Sequence, residues 1–574
     1  MSITLFHTAL YASLVLCALG LIWRVSAWFR VRVGPDTRAV TPLQRMAAAM
    51  RGAVAALFSR RLFRVLGALL LDVLLLRRLY ANAKLRWIGH QLIMVGFTLL
   101  LLMHALAALV SEKLFPDYQP TLEPYLFLRN LLGVMVLVGV GLLFFGRRRE
   151  RSGFAPARAF LGTVFVLLLG FVLATGFLLE AHKIASPRAF YRMAEQYAGT
   201  TDAEQLKPLR ALWASEFGVA FADLQQPIAA DLVERGRELQ RDACASCHAK
   251  PAFAFVSYPL AQLLAPVTGP MDAARADIWL WYLHVFACLL GLASLPFTRF
   301  FHVLAAPISL LVDAAAPRRA LSAQPYAIEA RASQRALALD ACVRCGICDA
   351  RCSVAPLARY LGNPGLLPSH KLIATGALTQ GRLLRAGQED HALRAAEGAF
   401  LCTDCGRCTS CCPVGLDLED LWQAGRGDLA AAGLPAPAQW VQAGTALTWA
   451  EALEAVPGPR GLCGPDAVFA PLSADRRSFS RCVQCQTCTN VCPVVAHSMD
   501  AEHGVDLTPQ KVMNLLRLGL SELALGSRMV WDCASCYQCQ ESCPEGVRVA
   551  DIMCELRALA VRRLGAVRGR RQAA

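Results

Sequence analysis

Apolar residues gather into five runs, near 5–29, 87–110, 128–146, 159–179 and 278–302. Each approaches the about 20 residues a helix needs to cross about 30 Å of hydrocarbon. Residues 51–80 are apolar as well, but Arg60, Arg61, Arg64, Asp72, Arg77 and Arg78 interrupt them. That pattern predicts an amphipathic helix on a membrane surface, with a further span as the alternative. The stretch 186–240 is rich in Ala, Leu and Glu and reads as helix. Beyond residue 315 the long apolar runs stop. Thr508-Pro509 there opens a helix on which Val512, Leu515, Leu516, Leu520 and Leu523 recur at helical spacing. Residues 425–475, rich in Ala, Pro and Gly, read as a mixed linker. The expected fold is mostly α. A five-span transmembrane bundle occupies 1–310, with an insert at 181–275. Two helical modules follow at 326–424 and 476–565.

Composition supports this division. Of 574 residues, 55% are hydrophobic and 18% charged, which excludes a disordered chain. The +15 net charge is uneven and sets a topology. No Lys or Arg precedes the first run, whereas Arg24, Arg30 and Arg32 follow it. That is the pattern of an uncleaved anchor with its N-terminus outside. Segment 30–86 holds twelve Lys/Arg against two acids, and 147–151 and Arg318–Arg319 are basic too. Segments 111–129 and 180–277 are near balance. The basic connectors and the C-terminal half are therefore expected in the cytoplasm of a bacterial cell, with the 180–277 loop in the periplasm. The charge needs no nucleic-acid partner to explain it.

Ionisable residues inside spans default to functional hypotheses. The second run carries His90 and His104, and the fifth His284 and His302. Spacings of fourteen and eighteen place each pair on one face of an ideal helix, separated by about 21 Å and about 27 Å along its axis. Paired by depth, His90 with His302 and His104 with His284 supply the axial ligands of two b haems, one per leaflet. The bland alternative is four histidines at interfaces or hydrogen-bonded between helices. The runs RWIGHQLIMVGFTLLLLMH and HVFACLLGLASLPFTRFFH, with Thr175-Gly176 and Glu180, resemble the membrane cytochrome b of respiratory nitrate reductase, its gamma subunit. They are also similar to the membrane cytochromes of heterodisulfide reductase-like complexes. The resemblance covers about 1–310. It implies electron exchange with quinone beside the outer haem, near His104, His284 and Lys113.

In the outside loop Cys244, Cys247 and His248 form CxxCH, the attachment motif of haem c. Both thiols would bond the porphyrin and His248 would be an axial ligand. A disulfide or a chance CxxC is the alternative. The residues before the motif resemble the first helix of a small cytochrome c. Met271 is the first candidate for the sixth ligand, with His182 and Met193 behind it.

Nineteen of the 23 cysteines follow residue 315. Sixteen form four runs of C-x2-C-x2-C-x3-C: Cys342, Cys345, Cys348 and Cys352; Cys402, Cys405, Cys408 and Cys412; Cys482, Cys485, Cys488 and Cys492; Cys533, Cys536, Cys539 and Cys543. This is ferredoxin spacing, in which three cysteines bind one cubane and the fourth its neighbour. Zinc is the competing ligand. Four [4Fe–4S] clusters with crossed sets are expected, Cys412 completing the first set, Cys352 the second, Cys543 the third and Cys492 the fourth. Cys411 could replace Cys412. Region 478–562 looks much like the C-type iron-sulfur protein of heterodisulfide reductase. Region 335–420 resembles a more generic dicluster module. Flavin and nicotinamide glycine fingerprints are absent from the sequence.

The expected protein is a membrane-bound electron-transfer subunit of a quinone-linked oxidoreductase. It would join the quinone pool, and periplasmic cytochromes, to a cytoplasmic heterodisulfide-reductase-like or flavoprotein partner. The rival readings are a redox sensor or assembly donor without quinone turnover, and a direct cytochrome-to-cytoplasm wire.

Overall fold

The structure is a computed structural model. It describes all residues except 1–2, 150–158, 198–201, 225–226, 316–326, 353, 356–357, 359–362, 403, 435–444, 448–449, 452–471, 499–504 and 574. Among the described residues every regular element is helical. Five helices are long and apolar enough to cross a membrane: Thr4–Arg30, Lys84–Ala105, Tyr125–Gly146, Val166–Ala185 and Ala276–Phe297. We number them spans 1 to 5. Most of their apolar side chains face outward, as lipid contact requires. Contacts divide the chain into two units. One is chiefly Met1–Arg24, Leu75–Arg151 and Ala155–Phe301; the other is chiefly Val25–Leu74 and His302–Ala574.

In the first unit spans 2 and 3 pack along their length. A Cβ on Gly139 would lie 2.6 Å from the Gly89 carbonyl oxygen, and one on Gly96 2.9 Å from that of Leu132. Small residues are what allow this approach without a hydrophobic driving force between helices. Span 2 ends earlier than its hydropathy suggests. Its last turn, Leu101–Ala105, is π-helical, and turns follow to residue 110. Span 5 also stops short of the expected residue 302. Pro296, which lacks an amide proton, lies in a 3-10 turn at Leu295–Phe297, and Thr298 is extended. His302 instead begins a separate helix, His302–Ala315. The insert is helical, as its composition suggests: Pro187–Tyr197, Ala203–Leu212, Ala230–Ala243, Ser257–Leu264 and Thr268–Ala273.

The second unit changes the reading of 51–80. There is no single amphipathic helix. In this unit Pro42–Leu57 and Arg61–Ala68 are followed by a π-turn at Leu69–Leu74, and the short helix Arg77–Asn82 belongs to the first unit. The Arg61–Ala68 helix and the π-turn pack on His302–Ala315, and Pro42–Leu57 on Ala327–Ala341. Two arginines lock this arrangement. Arg45 is buried and donates to the carbonyl oxygens of Trp28 (2.6 Å), Ala332 (2.7 Å) and Val31 (2.8 Å). Arg335, also buried, binds both oxygens of Asp420 at 2.7 Å, Asp36 at 2.7 Å and the Val33 carbonyl at 3.0 Å. The loop after span 1 is thereby tied to the helices Ala327–Ala341 and Leu418–Ala431. The latter runs past the module end expected at 424; most of the expected linker lies outside the described residues, as do Arg318–Arg319.

Arg335→Ala would leave Asp36 and Asp420 without their shared cation. We expect a loss of about 1–2 kcal/mol, below the cost of breaking a fully buried ion pair, because Asp36 is exposed and Asp420 half-buried. It should appear as a lower melting temperature of the detergent-solubilised protein and faster proteolysis of residues 28–45. An unchanged melting curve would rule out this role.

Candidate electron-transfer centres

Each cysteine run folds into the same loop. The residue before the second cysteine and the residue after it both lie in the left-handed region. The pairs are Arg344 and Gly346, Asp404 and Gly406, Gln484 and Gln486, and Ser535 and Tyr537, with φ between 47° and 77°. Left-handed residues in such loops turn successive amide groups toward one concavity, a nest suited to an anionic group. Six of the eight are not glycine, so the strained geometry is imposed by the site. A four-residue helix follows each loop and carries the third cysteine: Ile347–Ala350, Arg407–Ser410, Thr487–Asn490 and Gln538–Glu541.

The fourth cysteine of each run crosses to its partner run. Cys342, Cys345 and Cys348 line one cavity with Cys412. Cys482, Cys485 and Cys488 line another with Cys543. Cys533, Cys536 and Cys539 line a third with Cys492. For the remaining set, Cys352 interacts electrostatically with Cys402 and Cys408. Four thiols around one cavity form a donor set suited to a thiolate-bound metal cluster. Cys411 is not part of the first cavity's lining; its thiol points to the Cys408 carbonyl oxygen at 3.6 Å. Burial pushes Cys342 and Cys488 up to about 11 and Cys352 and Cys412 up to about 12; Cys348 and Cys539 rise as well. These thiols hold their protons until a metal displaces them. Cys485 is exposed and goes the other way, lowered by its bond to Thr487.

In the first unit the His104 and His284 rings are neighbours, with centroids 6.3 Å apart and planes tilted by 60°. Two metal–nitrogen bonds of about 2 Å, plus about 1 Å from nitrogen to ring centre on each side, give about 6 Å across a shared iron. His284 Nδ1 is 3.0 Å from the Val172 carbonyl oxygen and 3.2 Å from Thr175 Oγ. A carbonyl only accepts, so the proton sits on Nδ1, and Nε2, 3.9 Å from Cys288 Sγ, carries the lone pair a metal could take. A Cβ on Gly176 would already be 3.2 Å from the imidazole, so this neighbour must be small. Thr175 and Gly176 were visible in sequence only through a family likeness; the structure gives them these contacts.

The other pair is less simply described. His90 is half-buried on span 2, and His302 begins its own helix. The interruption at Pro296 removes the single-helix geometry that placed His284 and His302 on one face. The π-turn likewise shifts the phase between His90 and His104.

Beside His104 lies a polar group that spacing does not reveal. Glu180 accepts from Arg129, from Asn130 Nδ2 at 3.0 Å and from Ser257 Oγ at 2.6 Å. Glu180, Arg129 and Lys183 all act electrostatically on His104. Lys113 stands exposed on the short helix Ser111–Leu114.

The helix Ala230–Ala243 ends where Cys244 caps it, and the His248 amide bonds the Cys244 carbonyl at 2.9 Å. Cys244 is buried, which raises its pKa; burial also lowers that of His248. The His248 ring rests edge-on to Trp213 at 5.8 Å. Trp213 belongs to an apolar cluster that includes Phe190, Phe217 and, at its edge, Met193. Met271 lies on the helix Thr268–Ala273. Its neighbour Asp272 is bound to Ser186 Oγ at 2.6 Å and the Arg188 amide at 3.1 Å, and stands 3.4 Å from the buried His182.

The sequence model of the 4Fe-4S dicluster domain matches residues 338–416 and 478–547. The C-type iron-sulfur protein of CoB–CoM heterodisulfide reductase from Methanopyrus kandleri is 34% identical over 86 residues, 15% of this chain and 41% of that protein. Its counterpart in the ferredoxin:CoB-CoM heterodisulfide reductase of Methanosarcina mazei is 35% identical over 82 residues, 14% of this chain and 46% of that one. The counterpart in the ferredoxin/F420H2-dependent CoB-CoM heterodisulfide reductase of Methanosarcina acetivorans is 33% identical over 91 residues, 16% and 52%. The chain thus spans about half the length, or less, of these relatives. No solved structure matches it. The C-terminal half therefore carries two 4Fe-4S dicluster domains, behind five helices compatible with membrane insertion.

Proposed function

We propose that this chain is the membrane-bound electron-transfer subunit of a quinone-linked respiratory oxidoreductase. It joins the quinone pool to a cytoplasmic partner of the heterodisulfide-reductase or flavoprotein kind. The neighbouring His104–His284 pair, in the same chain as four cysteine sets, carries the reading. The crossed cysteine sets would hold four [4Fe–4S] clusters, His90, His302, His104 and His284 two b haems, and Cys244, Cys247 and His248 one haem c. These groups, when bound, supply one-electron chemistry, which converts two-electron quinol oxidation into single-electron transfers.

The chain's own residues set the conditions. Val172 and Thr175 fix His284 through Nδ1, which leaves Nε2 as the nitrogen that would bind iron. Glu180, fixed by Arg129, Asn130 and Ser257, supplies a carboxylate near the outer histidines where quinol protons leave. By family likeness, Lys113 would stand near the quinone. The basic loop after span 1 and the cysteine-rich half belong on the cytoplasmic side, and the N-terminus and CxxCH loop on the periplasmic side.

A quinol assay tests this. Reduced menaquinone or ubiquinone analogues should reduce the b-type absorbance of the purified protein, and quinone-site inhibitors should block it. Glu180→Gln should slow this step while leaving haem content intact. No reduction by any quinol would favour the sensor or assembly-donor reading.

A further inference from the structure

The chain order of the four cysteine sets suggests that the second meets the third. The folded second unit brings the second against the fourth. Arg407 stands between Cys405 and Cys408, and Tyr537 between Cys536 and Cys539. The Arg407 guanidinium carbon lies 5.1 Å from the centre of the Tyr537 ring, a cation–π contact between the two ligand loops. A separate apolar cluster makes the same juxtaposition. Ala558, on the helix Val549–Ala573 beneath the fourth set, packs with Val354, Leu366 and Leu401 of the first module. Cys352, which completes the second set, borders that cluster.

The backbone supplies a third observation. Tyr537 holds φ 67° at the loop position where the first and second runs have Gly346 and Gly406. A bulky side chain is disfavoured there. Its phenol is fixed by donating to Asp551 at 2.9 Å on the same supporting helix. The ring is held in a strained place where it meets Arg407.

We propose that electrons pass between the two dicluster modules through this contact, from the fourth set to the second or the reverse. With clusters bound, Cys533, Cys536, Cys539 and Cys492 would hold the one-electron donor, which would be oxidised, and Cys402, Cys405, Cys408 and Cys352 the acceptor, which would be reduced. No bond or proton changes hands. The first and third sets then stand at the two ends of the wire. The third end is open to solvent: Cys485 and Val483 at its rim are exposed.

This inference rests on the four-cluster reading, which iron and sulfide content test separately. The order is tested by electron paramagnetic resonance of the fully reduced full-length protein. Cys405→Ser should remove about a quarter of the non-haem iron and also the part of the magnetic coupling on the fourth centre's signal that does not come from the third centre, whereas Cys345→Ser should leave that part in place. The reverse pattern, or coupling unaffected by either change, would overturn the order. If Cys405→Ser loses more iron than one cluster holds, a second variant decides. Tyr537→Gly with Arg407→Ala keeps the loop conformation seen at Gly406 and removes the contact. With full iron content it should lose the inter-module coupling and slow redistribution of electrons after rapid partial reduction. Retention of both would refute the proposal.

Discussion

Cys412→Ser is expected to empty the site of Cys342, Cys345 and Cys348 and to spare that of Cys402, Cys405 and Cys408. Cys412 belongs by sequence to the second run, so an uncrossed protein would show the opposite. The expectation follows from the cavity that Cys412 shares with the first three cysteines. Non-haem iron should fall from about sixteen to about twelve atoms per chain, four per cubane. One set of low-temperature resonance lines should vanish, and Cys352→Ser should remove a different set. Neighbouring Cys411 is poorly placed to rescue the site, since its thiol is directed to the Cys408 carbonyl. Burial holds the free Cys412 thiol near pKa 12, so the metal must displace a proton to bind. Cluster retention should accordingly weaken as pH falls, because protons compete for each thiolate. Full iron in Cys412→Ser would refute the crossed assignment.

His284→Ala should abolish about half of the b-type haem and leave the c-type intact, since it removes one axial ligand of two haems. In the parent protein a pyridine haemochrome should give b to c near about two to one. Thr175→Val is the finer probe. It keeps His284 but removes the hydroxyl 3.2 Å from Nδ1, leaving the Val172 carbonyl as that nitrogen's partner. Haem should remain while its potential shifts, because outer hydrogen bonds tune a ligand's basicity. Unchanged b-haem content in His284→Ala would leave the histidines as packing residues. Absence of c-type haem in the parent would make 181–275 a plain structural insert.

The two halves of the site differ in how much the sequence reveals. Cysteine spacing is a local property, because three ligands of one cubane lie within a single loop. The runs beginning at Cys342, Cys402, Cys482 and Cys533 are therefore readable residue by residue. Histidine pairing depends on helix continuity, a weaker inference. Pro296 was in plain view within the fifth apolar run, yet hydropathy passes over it; its missing amide ends the helix before His302. The π-turn at His104 has no such marker. Arg45 shows the same limit. Among twelve basic residues of a charged segment it reads as a topology signal, while in the folded chain it bonds three backbone carbonyls.

Sequence alone therefore determined the helical class, the five spans, the repeated cysteine loops and the CxxCH motif, because each arises from hydropathy or ligand spacing over a few residues. Tertiary structure decided which loops are neighbours. It grouped the loop after span 1 with the cysteine-rich half, drew Glu180, Arg129, Asn130 and Ser257 together, and set Arg407 against Tyr537. Those contacts join residues 50 to more than 100 positions apart. Nothing in local propensity encodes them; they follow from how the helices pack.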